Sequence, residues 1–228
     1  MSYEIATVDE LQDIDYRQGT HMRPVRHHLG ITAFGTNAWT AANVGDRLVP
    51  EHQEDEATEE LYVVLRGRAR FEIDGDSVDA PTGTLVFVRP EGNRTAFAEE
   101  AGTTVLAVGA TVGQPYEAGG WEVWAPFQPA YEAGDYAAVV QQARETVETT
   151  GLAAPLYNLA CCEALAGMNA EAIGHLRVAI ERRSSLRDLA KEDSDFDSLR
   201  DEPAFLDLVA AAKASGQSGP AAHGRTSA

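Results

Sequence analysis

The sequence has few basic residues and few cysteines, and it has no long apolar run. Its 228 residues contain 18 Lys and Arg against 36 Asp and Glu, which gives a formal net charge of -18. Such a field repels phosphate backbones and anionic membrane surfaces, so we expect neither nucleic acid nor a membrane as a partner. No apolar stretch approaches the roughly 20 residues that a membrane-spanning helix requires. The composition is typical of a soluble globular protein.

The two cysteines, Cys161 and Cys162, are adjacent in the sequence. Adjacent cysteines rarely bridge each other and the chain offers no other partner, so a disulfide framework is excluded. This agrees with a reducing compartment. The N-terminal segment MSYEIATVDELQDIDYRQGT has neither the basic nor the apolar region of a secretory signal. We therefore expect a cytoplasmic protein in which both cysteines pack as small residues within a helix.

The two halves of the chain differ in their periodicity. Strand-like runs bounded by Gly and Pro follow one another from Ile31 to about Val112, with Asp74-Gly75 as a hairpin turn. After Gly113 the chain is rich in Ala, Leu, Glu and Arg, which favours helices. We predict an α+β, two-domain chain. Its parts are an all-β domain at 1–112 with a core at about 31–112, a linker and helix entry at 113–126, an all-α domain at 127–210 and a disordered tail at 211–228.

The helical half contains a repeat. The stretches AGDYAAVVQQARETVE and AGMNAEAIGHLRVAIE align Gly134 with Gly167 and Arg144 with Arg177, a separation of 33 residues. A period of 33–34 residues is typical of stacked helical hairpins. With a small residue, Ala172, where two helices approach closely, the second unit resembles a tetratricopeptide (TPR) repeat. The resemblance implies TPR-like helical hairpins with a closing cap, which bind an unidentified protein or peptide.

The segment GDRLVPEHQEDEATEELYVVLRG, residues 45–67, places one histidine and many carboxylates ahead of an apolar strand. Together with PTGTLVFVRP, it resembles the two motifs of the cupin superfamily. Glu60 stands at the acidic position of the first motif, and Pro81 and Gly83 fit the start of the second. The resemblance covers about residues 43–110 and implies a jelly-roll β-barrel, often paired as a homodimer.

The metal ligands of that family match this sequence only in part. Relative to the motif histidines, His52 is one position late, Glu54 replaces its partner, and Val86 stands in the second motif. Residues two apart on a strand point to one face, so His52 and Glu54 can converge with Glu60 inside the barrel. One histidine with carboxylates suits iron(II) or manganese better than zinc. A second histidine can come from His27 or His28 if their segment is a strand that lines the barrel.

Aromatic and basic side chains of the β-half are candidates for a small-molecule pocket. The aromatic residues lie at strand spacing, and the arginines lie near the predicted rim, where they can meet a carboxylate or phosphate. These candidates are Trp39, Tyr62, Phe71, Phe87, Arg89 and Arg94. Core packing and an ordinary turn explain the same residues without a ligand.

Three functions stay open at this point. The depleted ligand set favours a non-enzymatic protein without a cofactor, in which the barrel binds a small molecule or acts as a scaffold. The alternative is a metal-dependent oxygenase or isomerase that uses His52, Glu54 and Glu60 with iron or manganese. A metal-free isomerase would need a buried histidine as general base, for which His28 is the candidate. The sequence contains no nucleotide-binding glycine loop, hydrolase elbow or Cys/His zinc spacing.

Overall fold

The computed structural model describes residues 3–17, 19–54 and 57–210. The tail that the sequence predicts at 211–228 lies outside these residues. Among the helices of the described part, none has the length and apolar character needed to cross a membrane.

The N-terminal half consists of antiparallel strands in two sheets. The strands are β1 (Ile14–Arg17), β2 (Thr20–Arg23), β3 (Gly35–Ala41), β4 (Arg47–His52), β5 (Thr58–Arg66), β6 (Arg68–Ile73), β7 (Asp76–Pro81), β8 (Leu85–Val88), β9 (Arg94–Ala98) and β10 (Thr104–Thr111). One sheet has the order β1-β2-β3-β10-β5-β8, and the other has the order β4-β9-β6-β7. Strands β3 to β10 therefore form the two interleaved four-stranded sheets of a jelly roll, as predicted. The hairpin β1–β2 extends the first sheet beyond the predicted core.

Local turn chemistry explains one of these connections directly. Asp74 and Gly75 join β6 to β7, and both have positive φ angles, 51° and 91°. A two-residue hairpin of this kind needs left-handed backbone at both positions, which Asp tolerates and Gly adopts freely. The sequence prediction of a hairpin at this dipeptide is confirmed.

Alternation along the strands decides which side chains enter the barrel. On β8, Val86 and Val88 are buried, whereas Leu85 and Phe87 are exposed. Successive side chains of a strand point to opposite faces of the sheet, so only one of the two sets can pack in the core. Phe71 on β6 is fully buried and packs against Tyr62, with ring centroids 5.5 Å apart.

The segment around the histidine pair is helical, which corrects the prediction of a barrel-lining strand. Helix α1 covers Val25–Leu29 and contains both His27 and His28. Gly30 ends the helix with a φ of 62°, and its N–H bonds back to the carbonyls of Arg26 and His27. A glycine in this left-handed conformation is a common helix C-terminus.

The C-terminal part is helical. Its helices are α2 (Gly120–Trp124), α3 (Gln128–Glu132), α4 (Tyr136–Thr150), α5 (Ala153–Leu165), α6 (Asn169–Arg182), α7 (Leu186–Glu192) and α8 (Pro203–Ala210), with 3₁₀ turns at Ala125–Phe127 and Ser194–Leu199. The starts of α2 and α5 are 33 residues apart, and so are the starts of α4 and α6. This offset agrees with the repeat in the sequence, while the TPR identity of the helices stays a prediction.

The helical core explains the two cysteines. Cys161 and Cys162 lie on α5, and both are buried and unbridged. They pack in one cluster with Leu159 and Ala172, residues of α5 and α6. The prediction that the cysteines are small packing residues within a helix is therefore confirmed.

A buried carboxylate joins the helices to the barrel. Glu122 on α2 is 2% exposed and accepts hydrogen bonds from Arg26 Nε at 2.6 Å, Tyr116 Oη at 2.5 Å and Asn37 Nδ2 at 3.3 Å. A buried charge is tolerated when it is paired and hydrogen-bonded, as here. The pairing fixes α1, β3 and the segment 113–119 against α2.

Candidate functional site

A cavity of about 730 Å³ opens between the inner face of the barrel and the segment that follows it. Its barrel wall comes from β3, β4, β5 and β10, and its outer wall comes from residues 114–117 and Trp121. This volume lies within the range of small-molecule sites, which is about 300–1,000 Å³. The linker that the sequence predicts at 113–126 is therefore also a wall of the cavity.

The structure brings three of the predicted metal ligands together in this cavity. His52 Nε2 lies 3.5 Å from Glu54 Oε1 and 3.4 Å from Glu60 Oε2. One ligand atom from each of the three residues lies within 4.8 Å of the other two. All three side chains are partly buried. They form the imidazole–carboxylate cluster of the barrel.

A backbone carbonyl determines how His52 presents its ring. Nδ1 lies 2.7 Å from the carbonyl oxygen of Pro50, which can only accept a hydrogen bond. Nδ1 therefore carries a proton, and Nε2 faces the carboxylates of Glu54 and Glu60. Although burial alone would lower the pKa of His52, its hydrogen bonds to Glu60 and Pro50 outweigh burial and raise the pKa.

Glu60 is held by donors on neighbouring strands. Arg94 on β9 donates from Nε at 3.0 Å and from Nη2 at 2.5 Å to Glu60 Oε2, and the hydroxyl of Tyr62 donates to the same oxygen. Burial would raise the pKa of Glu60, but hydrogen bonds from His52 and Tyr62 and the charge of Arg94 lower it to about 2. Glu60 is therefore ionised across the ordinary pH range, and its orientation is fixed.

Tyr62 stays protonated in this environment. Burial raises the pKa of its hydroxyl strongly, and the negative charge of Glu60 raises it further. Sequence reasoning treated Tyr62 as an apolar wall residue and missed its hydrogen bond to Glu60. Residues i and i+2 on one strand share a face, so the spacing of Glu60 and Tyr62 on β5 indicated that they were neighbours.

Arg94 does not lie at an open rim, as the sequence suggested. Its side chain is fully buried, donates to Glu60, and also donates from Nη1 to the carbonyl of Gly92 at 2.9 Å. Its charge is thus balanced inside the barrel and does not face an incoming anion. The anion-binding expectation is wrong for Arg94.

The remaining pocket candidates divide into two groups. Trp39 and Tyr62 line the cavity, as predicted. Phe71 is buried in the barrel core and does not line it, while Phe87 is 49% exposed on the outer face of β8. Arg89 is exposed and lies over the ring of Phe87, 5.7 Å from its centroid. The expectation that Phe71, Phe87 and Arg89 form the pocket is wrong, because strand alternation turns Phe87 outward and packing encloses Phe71.

His28 does not join the cluster. It lies on α1 with its side chain exposed. Two groups of described residues could hold a metal ion, and the one in the barrel contains a single histidine, His52. Val86, at the histidine position of the second motif, is buried on β8 and supplies no donor. The described part of the barrel thus offers one nitrogen and two carboxylates.

Comparison with known proteins gives structural likeness alone. No protein-family model matches the sequence, and no curated protein matches it. Solved cupin structures resemble the N-terminal part of the chain. A cupin protein from Bacteroides fragilis is 17% identical over 52% of this chain and 92% of its own, with a TM-score of 0.38. A predicted oxalate decarboxylase from Thermotoga maritima is 17% identical over 48% and 100%, with a TM-score of 0.40.

A third structure is described as a sugar phosphate isomerase of the cupin superfamily from Silicibacter pomeroyi. It is 14% identical over 48% of this chain and 76% of its own, with a TM-score of 0.42. Likenesses at this level concern the fold, and the strand order given above establishes that fold independently. The N-terminal part of the chain is a jelly roll.

Proposed function

We propose that this chain is an enzyme that acts on a small molecule in the barrel cavity, and that His52, Glu54 and Glu60 hold a divalent cation there. The observation that supports it is the ring orientation of His52. Because Pro50 fixes the proton on Nδ1, a neutral imidazole turns the lone pair of Nε2 toward two carboxylate oxygens. This arrangement is repulsive unless a cation lies between them or Nε2 is itself protonated.

The donor set fits such a cation. Two atoms that both lie about 2.1 Å from one ion are about 3.0–3.4 Å apart at ordinary coordination angles, close to the 3.4 and 3.5 Å separations found here. A histidine ligand usually donates its other N–H to a carbonyl or carboxylate, as His52 does to Pro50. One imidazole with two carboxylates suits manganese or iron(II).

The cluster favours an isomerase over an oxygenase. The usual iron(II) oxygenase site has two histidines and one carboxylate, whereas the described cluster has one histidine and two carboxylates. A divalent cation supplies Lewis-acid polarisation of a substrate oxygen when it is bound. Glu54 lines the cavity and is partly exposed, so one of its oxygens would hold the cation while the other would accept a proton from substrate. Arg94 and Tyr62 act as positioning residues because they fix the carboxylate of Glu60.

A second candidate is a metal-free, non-enzymatic barrel that binds a small molecule. Its support is the hydrogen bonding of Glu60 Oε2, which already accepts from both Arg94 and Tyr62. With His52 protonated, the charges of His52 and Arg94 balance those of Glu54 and Glu60 without a metal. The two candidates differ in the protonation of one atom, His52 Nε2.

Isothermal titration of metal-stripped protein with manganese(II) and iron(II) separates them. We expect one ion per chain for the wild type and none for His52→Ala. His21→Ala is the matched control, because His21 lies on β2 against Asp13, outside the cavity. Absence of stoichiometric binding by the wild type would overturn the metal-dependent function in favour of the metal-free barrel.

The partner protein of the helical repeats and the homodimer remain predictions. Sedimentation over a range of protein concentrations tests the dimer. The helical part tested alone for peptide binding would first require evidence that it folds without the barrel, since Glu122 packs against Arg26 and Asn37.

A further inference from the structure

Three aromatic rings form one wall of the cavity. Tyr16 from β1, Trp39 from β3 and Trp121 from α2 all line it. Tyr16 lies 5.2 Å from Trp39 and 6.0 Å from Trp121 between ring centroids, with interplanar angles of 72° and 66°. The two tryptophans are 6.1 Å apart at 37°. We call these three residues the aromatic wall.

Trp121 is the most accessible ring of the aromatic wall, whereas Trp39 is 9% exposed. Trp121 keeps 47% of its surface exposed, which is high for a side chain of this size. It lies one residue before Glu122, whose buried hydrogen bonds fix α2 against the barrel. The position of the ring is therefore held by the fold.

Carboxylates outnumber basic groups around the cavity. Among the described residues that line it, the carboxylates are Glu51, Glu54, Glu60 and Glu117, and no lysine or arginine is present. His52 is the one basic group of that set, and Arg94 lies behind Glu60 with its charge already paired. A phosphate or carboxylate ligand would thus enter a field of its own sign, whereas a cation would be attracted.

We infer that the cavity takes a small organic cation with a substituted ammonium head, and that this head binds against Tyr16, Trp39 and Trp121. The inference rests on the proposed function only in placing the ligand in this cavity, and it does not require the metal. The faces of aromatic rings carry negative electrostatic potential and attract cations within about 6 Å of the ring centroid.

The chemistry of the wall selects among cations. A primary ammonium is strongly hydrated and keeps three N–H donors that need acceptors. Ring faces cannot replace those acceptors. A primary ammonium therefore loses hydration on binding without compensation and binds more weakly than a methylated ammonium. The opposite end of the ligand then faces His52 and Glu54, which line the same cavity.

Choline and its uncharged isostere 3,3-dimethylbutan-1-ol test this inference, because they share shape and differ in charge. Binding is measured by tryptophan fluorescence and calorimetry on the full chain at constant ionic strength. We expect choline to bind, the isostere to bind about 5–30-fold more weakly, and Trp121→Leu to weaken choline binding by a similar factor. Phe87→Leu is the control, because Phe87 is an exposed aromatic residue on the outer face of β8. This variant should leave choline binding unchanged.

Equal affinity for choline and its isostere would overturn the inference and indicate an apolar or sugar-stacking wall. Unchanged affinity in Trp121→Leu would overturn it too, as would absence of choline binding at tens of millimolar. The same titrations on His52→Ala separate this inference from the proposed function. Choline binding retained in a wild type that binds no manganese would support the cation wall and refute the metal site.

Discussion

Replacing Arg94 by methionine is expected to destabilise the barrel, because it leaves the ionised Glu60 without its buried partner. The pKa of Glu60 is about 2 instead of the ordinary 4.5. At about 1.4 kcal/mol per tenfold change in an equilibrium constant, the folded protein favours ionised Glu60 by about 3 kcal/mol. Hydrogen bonds from His52 and Tyr62 contribute most to this preference, and Arg94 adds its charge and two further hydrogen bonds. Breaking one partner of a buried ion pair costs about 3–5 kcal/mol, so we expect a loss of about 3 kcal/mol.

The assay is urea unfolding of metal-stripped protein, followed by circular dichroism. With an m value of about 2 kcal/mol/M, a loss of 3 kcal/mol lowers the midpoint by about 1.5 M. Arg68→Met is the control, because Arg68 pairs with Asp79 at the surface and exposed pairs contribute about 1 kcal/mol or less. The double variant Glu60→Gln/Arg94→Met should recover much of the loss, since it removes both charges.

The sign of the pH dependence follows from the lowered pKa of Glu60. Its contribution to stability is complete above the unfolded value of about 4.5 and disappears as the pH falls toward 2. The deficit of Arg94→Met should therefore be largest at neutral pH and shrink below pH 4.5. A deficit under about 1 kcal/mol at pH 7, or one that does not change at pH 3, would refute the reasoning.

Three further predictions concern other parts of the chain. The hydrogen bond that His175 donates to Glu163 raises the pKa of His175, so its contribution to stability is complete below about pH 6.5 and is lost at higher pH. His175→Gln should flatten the fall in urea midpoint between about pH 6 and 8, and an unchanged slope would contradict this. Phe71→Ala should lower the free energy of unfolding by about 3–5 kcal/mol, and the exposed Phe87→Ala should lower it by under 1 kcal/mol. Equal losses in urea unfolding would contradict the placement of Phe71 in the core and Phe87 on the outer face. Because burial raises the pKa of the Cys161 thiol, an aromatic disulfide reagent should modify it only after urea is added; rapid labelling of native protein would show that the thiol is accessible.

The fold was predictable where a local rule and the global arrangement agree. Asp74-Gly75 indicated a hairpin because both residues accept positive φ, and that turn sets the register of β6 against β7. The 33-residue repeat predicted matching helices, which α4 and α6 provide. The prediction of a strand at α1 was wrong because His27 and His28 were considered only as a second metal ligand, while the helix-ending Gly30 was overlooked.

The candidate site was predictable from spacing but not from long-range pairing. His52 and Glu54 were predicted to converge from their two-residue spacing on one strand, and Glu60 from its motif position. The three do meet, although β4 ends at His52 and Glu54 lies just beyond it. Arg94 was assigned to the rim, since an arginine is rarely buried without a partner and its partner lies 34 residues earlier in the sequence. The outward position of Phe87 was within reach of sequence reasoning, because Val86 had already been placed at an inward motif position.

The most direct test of the metal site is the proton NMR spectrum of the histidine rings during addition of manganese(II) to metal-stripped protein. The sequence contains six histidines, and a bound paramagnetic ion broadens the signals of the ring nearest to it. The account predicts that the His52 ring signals disappear first, at well under one equivalent. If His52 keeps sharp signals at one equivalent, or if all the rings broaden together, the barrel does not hold a cation at His52, Glu54 and Glu60.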